Sequence, residues 1–128
     1  MIRNGKFAID NGKEYRCINR GKEKIVLISY ESSDIDNGFE RSNYLFNKYI
    51  KEMSIKDVEE LYTVSTMAEY REDVFIAIEE DNEKLLLKSS ARSYDLKSIG
   101  FVEIDRGDFQ KWVDKKYINR TWEEIQKE

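Results

Sequence analysis

Glu23-Lys24-Ile25-Val26-Leu27-Ile28-Ser29 and Glu83-Lys84-Leu85-Leu86-Leu87-Lys88-Ser89 are the two stretches on which the architecture turns. Each opens on an acid and a lysine, runs through an apolar middle and closes on a serine. They belong to a longer internal duplication. Aligning Phe7-Ala8 with Met67-Ala68 sets an offset of 67 − 7 = 60 residues, at which Tyr15 falls on Phe75 and Cys17 on Ala77. After a small change in length, Asn37-Gly38-Phe39 meets Ile99-Gly100-Phe101. After another, Phe46-Asn47-Lys48-Tyr49-Ile50 meets Phe109-Gln110-Lys111-Trp112-Val113. Val58, Leu61 and Tyr62 then fall on Ile118, Thr121 and Trp122. Five blocks in one order are the signature of a structural unit used twice.

Each copy begins as a three-stranded meander. Lys6 to Asp10, an Asn11-Gly12 turn and Glu14 to Asn19 form a hairpin, because Asn-Gly supplies the two positive φ angles of a type I′ turn. A turn at Arg20-Gly21 leads into Glu23 to Tyr30. Strands near Val64 to Tyr70, Val74 to Glu79 and Lys84 to Ser89 repeat the pattern. Ser32 to Gly38 and Ser93 to Gly100 predict one helical turn each, ended by a glycine in the left-handed region. A hairpin follows, turning at Asp105-Arg106-Gly107-Asp108 in the second copy. Ser54-Ile55-Lys56-Asp57 reads as a helix start, and Ile55, Val58, Leu61 and Tyr62 share a helical face, as do Ile118, Thr121, Trp122 and Ile125.

The expected fold is therefore α+β: one domain over residues 1–128 built from two tandem β-rich repeats, about 5–63 and 64–126. Each repeat comprises a three-stranded meander, a short helical turn, a hairpin and a helix. A unit of about 60 residues buries too little surface alone, so the repeats are expected to share one core with pseudo-two-fold symmetry. The chain holds no proline, which leaves turn chemistry to Gly, Asn and Asp.

Composition removes several chemistries. With no histidine, neither a Ser-His-Asp nor a Cys-His nucleophile system can form within the chain, and the commonest metal ligand is missing. A single cysteine, Cys17, permits neither an intramolecular disulfide nor a multi-thiolate zinc site, and reads as a small core residue. The charged N-terminus and the lack of a long apolar run predict neither a secretory signal nor a membrane span, hence a cytoplasmic protein. A net charge of −4 and a pI near 5.1 argue against a phosphate-tracking surface.

Carboxylates are the remaining resource. Glu31, Asp34, Asp36 and Glu40 cluster after the third strand, and Glu79, Glu80, Asp81 and Glu83 at a turn. Asp34-Ile35-Asp36-Asn37-Gly38 echoes the start of an EF-hand loop but lacks the closing glutamate, so a solvated loop is the reading. Lys48 and Lys111, between apolar neighbours in both copies, read as lysines whose stems lie along half-buried strands. The aromatics Phe46/Tyr49 and Phe109/Trp112 read as paired core positions. The copies differ most between Tyr30–Asn37 and Ser90–Ser98, the latter bearing Arg92 and Tyr94. Loops that diverge on a shared scaffold are where a partner can be acquired.

The paired pattern from Gly38-Phe39 to Val58-Glu59-Glu60-Leu61-Tyr62, echoed from Gly100-Phe101 to Trp122-Glu123-Glu124, resembles small duplicated proteins of Gram-positive bacteria. These are similar to immunity proteins encoded beside polymorphic secreted toxins. The resemblance implies a non-enzymatic protein that binds and neutralises a cognate toxin, with no cofactor, no metal and no catalytic residue. The acidic loop Glu31, Asp34, Asp36 and Glu40, with Tyr30 and Tyr94 as aromatic anchors, is the expected partner-binding surface, facing a basic toxin. The alternative is a binding adaptor of another kind, including a nucleic-acid-binding β-sheet. A carboxylate-dependent enzyme would require two acids converging in one pocket.

Overall fold

The computed structural model describes residues 2–89 and 95–128. Among them the chain is essentially all-β, with eleven strands and only single short helical turns. It divides into two compact units: an N-terminal unit of Gly5–Thr63 with Gln126–Glu128, and a C-terminal unit of Val64–Ile125 with Met1–Asn4.

In the N-terminal unit, β1 (Gly5–Asp10), β2 (Lys13–Arg20) and β3 (Lys24–Ser29) form the meander. A 3₁₀ turn at Ser32–Asn37 ends at Gly38, and β4 (Glu40–Arg41) and β5 (Tyr49–Ser54) follow. The strands are antiparallel in the order β4-β5-β3-β2-β1. β6 (Glu60–Tyr70) starts in this unit and continues into the next. In the C-terminal unit, β7 (Asp73–Glu80) and β8 (Lys84–Ser89) complete the second meander. A helical turn at Asp95–Ser98 precedes β9 (Val102–Asp105) and β10 (Asp108–Asp114), giving the order β6-β7-β8-β10-β9. β11 (Arg120–Lys127) pairs with β6.

Alternation fixes these elements. Ile25 and Leu27, two residues apart on β3, are fully buried, and Leu85 and Leu87 on β8 are likewise buried. Side chains of a strand alternate between faces, so a pair at this spacing commits one face of each meander to the interior. Around the first pair gather Ala8, Tyr15, Cys17, Phe39 and Leu61. Around the second gather Ala68, Phe75, Ala77, Leu96, Phe101, Phe109 and Val113. Each unit thus holds its own cluster, which corrects the expectation of one shared core. Burial of the Cys17 thiol also pushes its pKa up to about 11, in keeping with a packing role.

The two closing helices are not formed, and the α+β assignment is corrected to all-β. Ile55–Asp57 is one 3₁₀ turn without a Ser54 side-chain cap, and Val58 is already extended at ψ 148°. Lys115–Tyr117 is its counterpart, followed by the extended Ile118. The first backbone amide of each bonds to the residue just before an earlier strand, Ile55 N–H to Glu23 O (2.9 Å) ahead of β3 and Lys115 N–H to Glu83 O (2.8 Å) ahead of β8. Beyond the turns lie Tyr62-Thr63-Val64 and Thr121-Trp122, β-branched and aromatic residues that fit a pleated surface. The helical spacing of Ile55, Val58, Leu61 and Tyr62 arises because the first two pack from the turn and the last two from a strand.

Strand pairing also corrects the alignment of the copies. Ser29 faces Tyr49 and Leu27 faces Lys51, while Ser89 faces Phe109 and Leu87 faces Lys111. Lys51, not Lys48, is therefore the counterpart of Lys111, and Tyr49 that of Phe109. Phe46 and Trp112 are 85% and 43% exposed and are not core residues.

Truncating Leu27 or Leu87 to alanine is expected to cost about 2–5 kcal/mol each, the range for a buried leucine whose site relaxes only in part. Val102→Ala, at an exposed site, should stay within about 0.5 kcal/mol. Urea midpoints read both. A Leu87→Ala variant as stable as the parent would remove β8 from the core.

Candidate functional site

The surface expected to bind a partner lies between β3 and β5. Tyr30, Ile35, Tyr44 and Phe46 are 58%, 54%, 65% and 85% exposed on this one excursion. Glu31, Asp36 and Glu40 are exposed among them. The Lys48 ammonium stands 4.4 Å from the centre of the Tyr30 ring, which holds the ring in place. Tyr94 lies outside the described residues, as does Arg92.

Asp34 belongs to the interior, at 1% exposure. Its carboxylate accepts from Tyr15 Oη (2.8 Å), Asn37 Nδ2 (2.8 Å), Lys13 Nζ (3.1 Å) and Ser29 Oγ. Its backbone carbonyl accepts from Phe39 N–H at 3.1 Å, where Gly38, at φ 92°, turns the chain out of the 3₁₀ turn. Burial alone would raise the Asp34 pKa. The hydrogen bonds, those of Ser29 and Asn37 foremost, outweigh it and hold the carboxyl well below the usual range. Burial and the same contact push the Tyr15 phenol up to about 12.

In the other copy Phe101 N–H bonds Leu96 O in the same way, so Leu96 is the counterpart of Asp34, as Phe75 is of Tyr15. One copy fills the place with a satisfied polar network and the other with hydrocarbon. This geometry leaves Asp34 a positioning role in the excursion, not a contact role.

A second divergence opens a cleft of about 630 Å³ in the C-terminal unit, lined by Tyr70, Arg71, Glu72, Lys111, Trp112, Val113, Asp114, Tyr117 and Asn119. In the N-terminal unit the equivalent of its floor is an ion pair, Lys51 Nζ on Asp10 Oδ2 at 2.8 Å, both largely buried. At the corresponding position of β6 stands Tyr70. Its buried phenol oxygen accepts from Lys111 Nζ (2.9 Å) and Arg71 Nε (3.2 Å). Lys111 Nζ also donates to Ile99 O. The lysine stem lies against Gly100, where a Cβ would come within 3.0 Å of it. Burial would raise the Tyr70 pKa, but the hydrogen bonds from Lys111 and then Arg71, with their charges, hold it below its ordinary value.

The turn that delivers Arg71 is strained. Arg71 and Glu72 sit at φ 52° and 68°, where the other copy has Asn11 at 52° and Gly12 at 75°. Side chains other than Gly, Asn and Asp seldom occupy this region. Sequence reasoning passed over the site because it singled out acids and exposed loops. The signal was present: at the offset of the repeat, Asp10-Asn11-Gly12 becomes Tyr70-Arg71-Glu72.

Asp34→Leu is expected to destabilise by about 2–4 kcal/mol, because Tyr15, Ser29 and Asn37 lose a buried acceptor. Tyr15→Phe added to it should recover part of the loss, since that pair packs in the other copy. The depressed Asp34 pKa contributes stability that is complete above the unfolded value of about 3.9 and is lost as pH falls below it. The double variant should therefore lose less stability between pH 5 and 2 in acid titrations than the parent does. Replacing Arg71-Glu72 by Asn-Gly should raise stability by about 1 kcal/mol in denaturant melts through relief of backbone strain.

No curated protein and no solved structure matches the chain. A family model described as Uncharacterised conserved protein UCP033725 matches residues 2–128. No helix among the described residues is long and apolar enough to cross a membrane. With the match running through both units, the chain belongs to the UCP033725 family of conserved proteins.

Proposed function

We propose that the protein is a non-enzymatic immunity protein of the cytoplasm that binds and neutralises a cognate bacterial toxin through the excursion between β3 and β5. The observation that carries this reading is the exposure of Tyr30, Ile35, Tyr44 and Phe46 within one segment, interspersed with Glu31, Asp36 and Glu40. Aromatic side chains presented to solvent gain most from burial in a partner, at about 25 cal/mol for each Å² of apolar surface covered. The carboxylates around them favour a basic partner and speed its approach. The Asp34 network supports the reading by anchoring the base of the segment, which limits the entropy lost on docking. Tyr44 and Phe46 extend the expected contact set, and Asp34 leaves it. The resemblance to duplicated immunity proteins points the same way.

Co-expression with the secreted toxin encoded beside this chain tests the proposal. A stable complex on size exclusion and protection of the host are expected. Phe46→Ala and Tyr30→Ala should each weaken the complex about tenfold or more, the scale of an aromatic anchor, whereas Val102→Ala should not. Absence of both complex and protection would sink the idea. A gel shift with single-stranded RNA at low salt, lost as salt rises, would favour a nucleic-acid adaptor instead.

A further inference from the structure

The cleft floored by Tyr70, Arg71 and Lys111 is not used by this reading, and its floor is built almost entirely of hydrogen-bond donors. Both lone pairs of the Tyr70 oxygen are occupied by Lys111 and Arg71, so its O–H is left to donate elsewhere. Among the described residues Arg71 donates from Nε alone, and Lys111 has one N–H beyond its bonds to Tyr70 and Ile99. Among the described residues no carboxylate forms an ion pair with either cation, although Glu72 and Asp114 also line the cleft. The duplication shows what is displaced. In the N-terminal unit the same lysine position is neutralised from within by the Asp10 carboxylate at 2.8 Å. In the C-terminal unit the carboxylate has become a phenol and a guanidinium has been added on a strained turn.

We propose that this cleft binds the carboxylate of a small organic acid, which supplies beside the Tyr70 oxygen the negative charge that Asp10 supplies in the other copy. The carboxylate accepts from Arg71, Lys111 and the Tyr70 hydroxyl, a charge-assisted arrangement in which a planar anion meets a fork of donors. Tyr117, 57% exposed where it lines the cleft, offers flat apolar surface to the body of the acid. A flat aromatic acid uses both features.

Titration of the whole protein with sodium benzoate tests this, with benzamide as the uncharged shape match and inorganic phosphate as the other oxyanion. The Trp112 indole resonance reports occupancy, and Trp122 serves as the internal control. Saturable binding of benzoate is expected, with benzamide and phosphate at least about tenfold weaker, because they lose the charge or the planarity. Tyr70→Asp restores the internal carboxylate of the other copy and should weaken benzoate about tenfold or more. Arg71→Asn, on an exposed turn, should weaken it similarly and keeps the test valid if Tyr70→Asp fails to fold. Equal responses to benzoate and benzamide, or benzoate affinity unchanged in Arg71→Asn, would overturn the proposal. So would binding of a glutamate-rich peptide with none of benzoate, which would assign the site to a protein carboxylate. Toxin neutralisation by these variants is a separate readout, so failure of one reading does not decide the other.

Discussion

A pair of aliphatic side chains two residues apart, Ile25 with Leu27 and Leu85 with Leu87, is shut away from water at the centre of each meander. A one-residue slip of either strand would carry its pair to the solvent face, so the strand register is held by hydrophobic burial as firmly as by hydrogen bonds. Register in turn decides which side chains meet. Because Leu27 faces Lys51 and Leu87 faces Lys111, those lysines are delivered to the positions where Asp10 and Tyr70 receive them. The polar chemistry of each unit is thus a consequence of its apolar spacing.

Much of the meander was legible in the sequence, since alternation in Glu23–Ser29 and the Asn11-Gly12 turn are local signals with one reading each. The closing segments were misread because Ile55, Val58, Leu61 and Tyr62 fit a helical stripe, while the backbone of Glu60–Tyr70 and of Arg120–Lys127 is claimed for pairing with strands elsewhere in the chain. No window of sequence contains that competition. Lys48 was matched to Lys111 because the intervening loops differ in length, and only pairing against β3 and β8 restores Lys51. At the candidate surface, Tyr30, Glu31, Asp36 and Glu40 were legible as exposed residues, although Glu40 lies in β4 and not in a loop. Asp34 was not separable from them, since its burial depends on Tyr15, Ser29 and Asn37 closing around it.

The two copies solve equal packing problems with different chemistry. Tyr15 with Asp34 and Phe75 with Leu96 fill equivalent space, one through hydrogen bonds and one through contact alone. A satisfied buried polar network and its hydrocarbon replacement can be similar in free energy, yet they differ in how they respond to change. The network is directional and fixes the path of the segment above it. The hydrocarbon version tolerates small shifts. Asymmetry inside a duplicated frame therefore gives the first excursion a hydrogen-bonded anchor at Asp34 where the second copy has an apolar contact at Leu96.

The chain ends belong to the units in an interleaved way. Arg3 and Asn4 hydrogen-bond to Thr66 and Ala77 within the C-terminal unit, while the Glu128 backbone amide reaches Leu61 within the N-terminal one. A cut between Thr63 and Val64 would consequently yield two fragments, each carrying a short piece that completes the other and lacking its own. Separating the copies without loss would therefore require Gln126–Glu128 to travel with the first and Met1–Asn4 with the second, a permutation that no single cut provides.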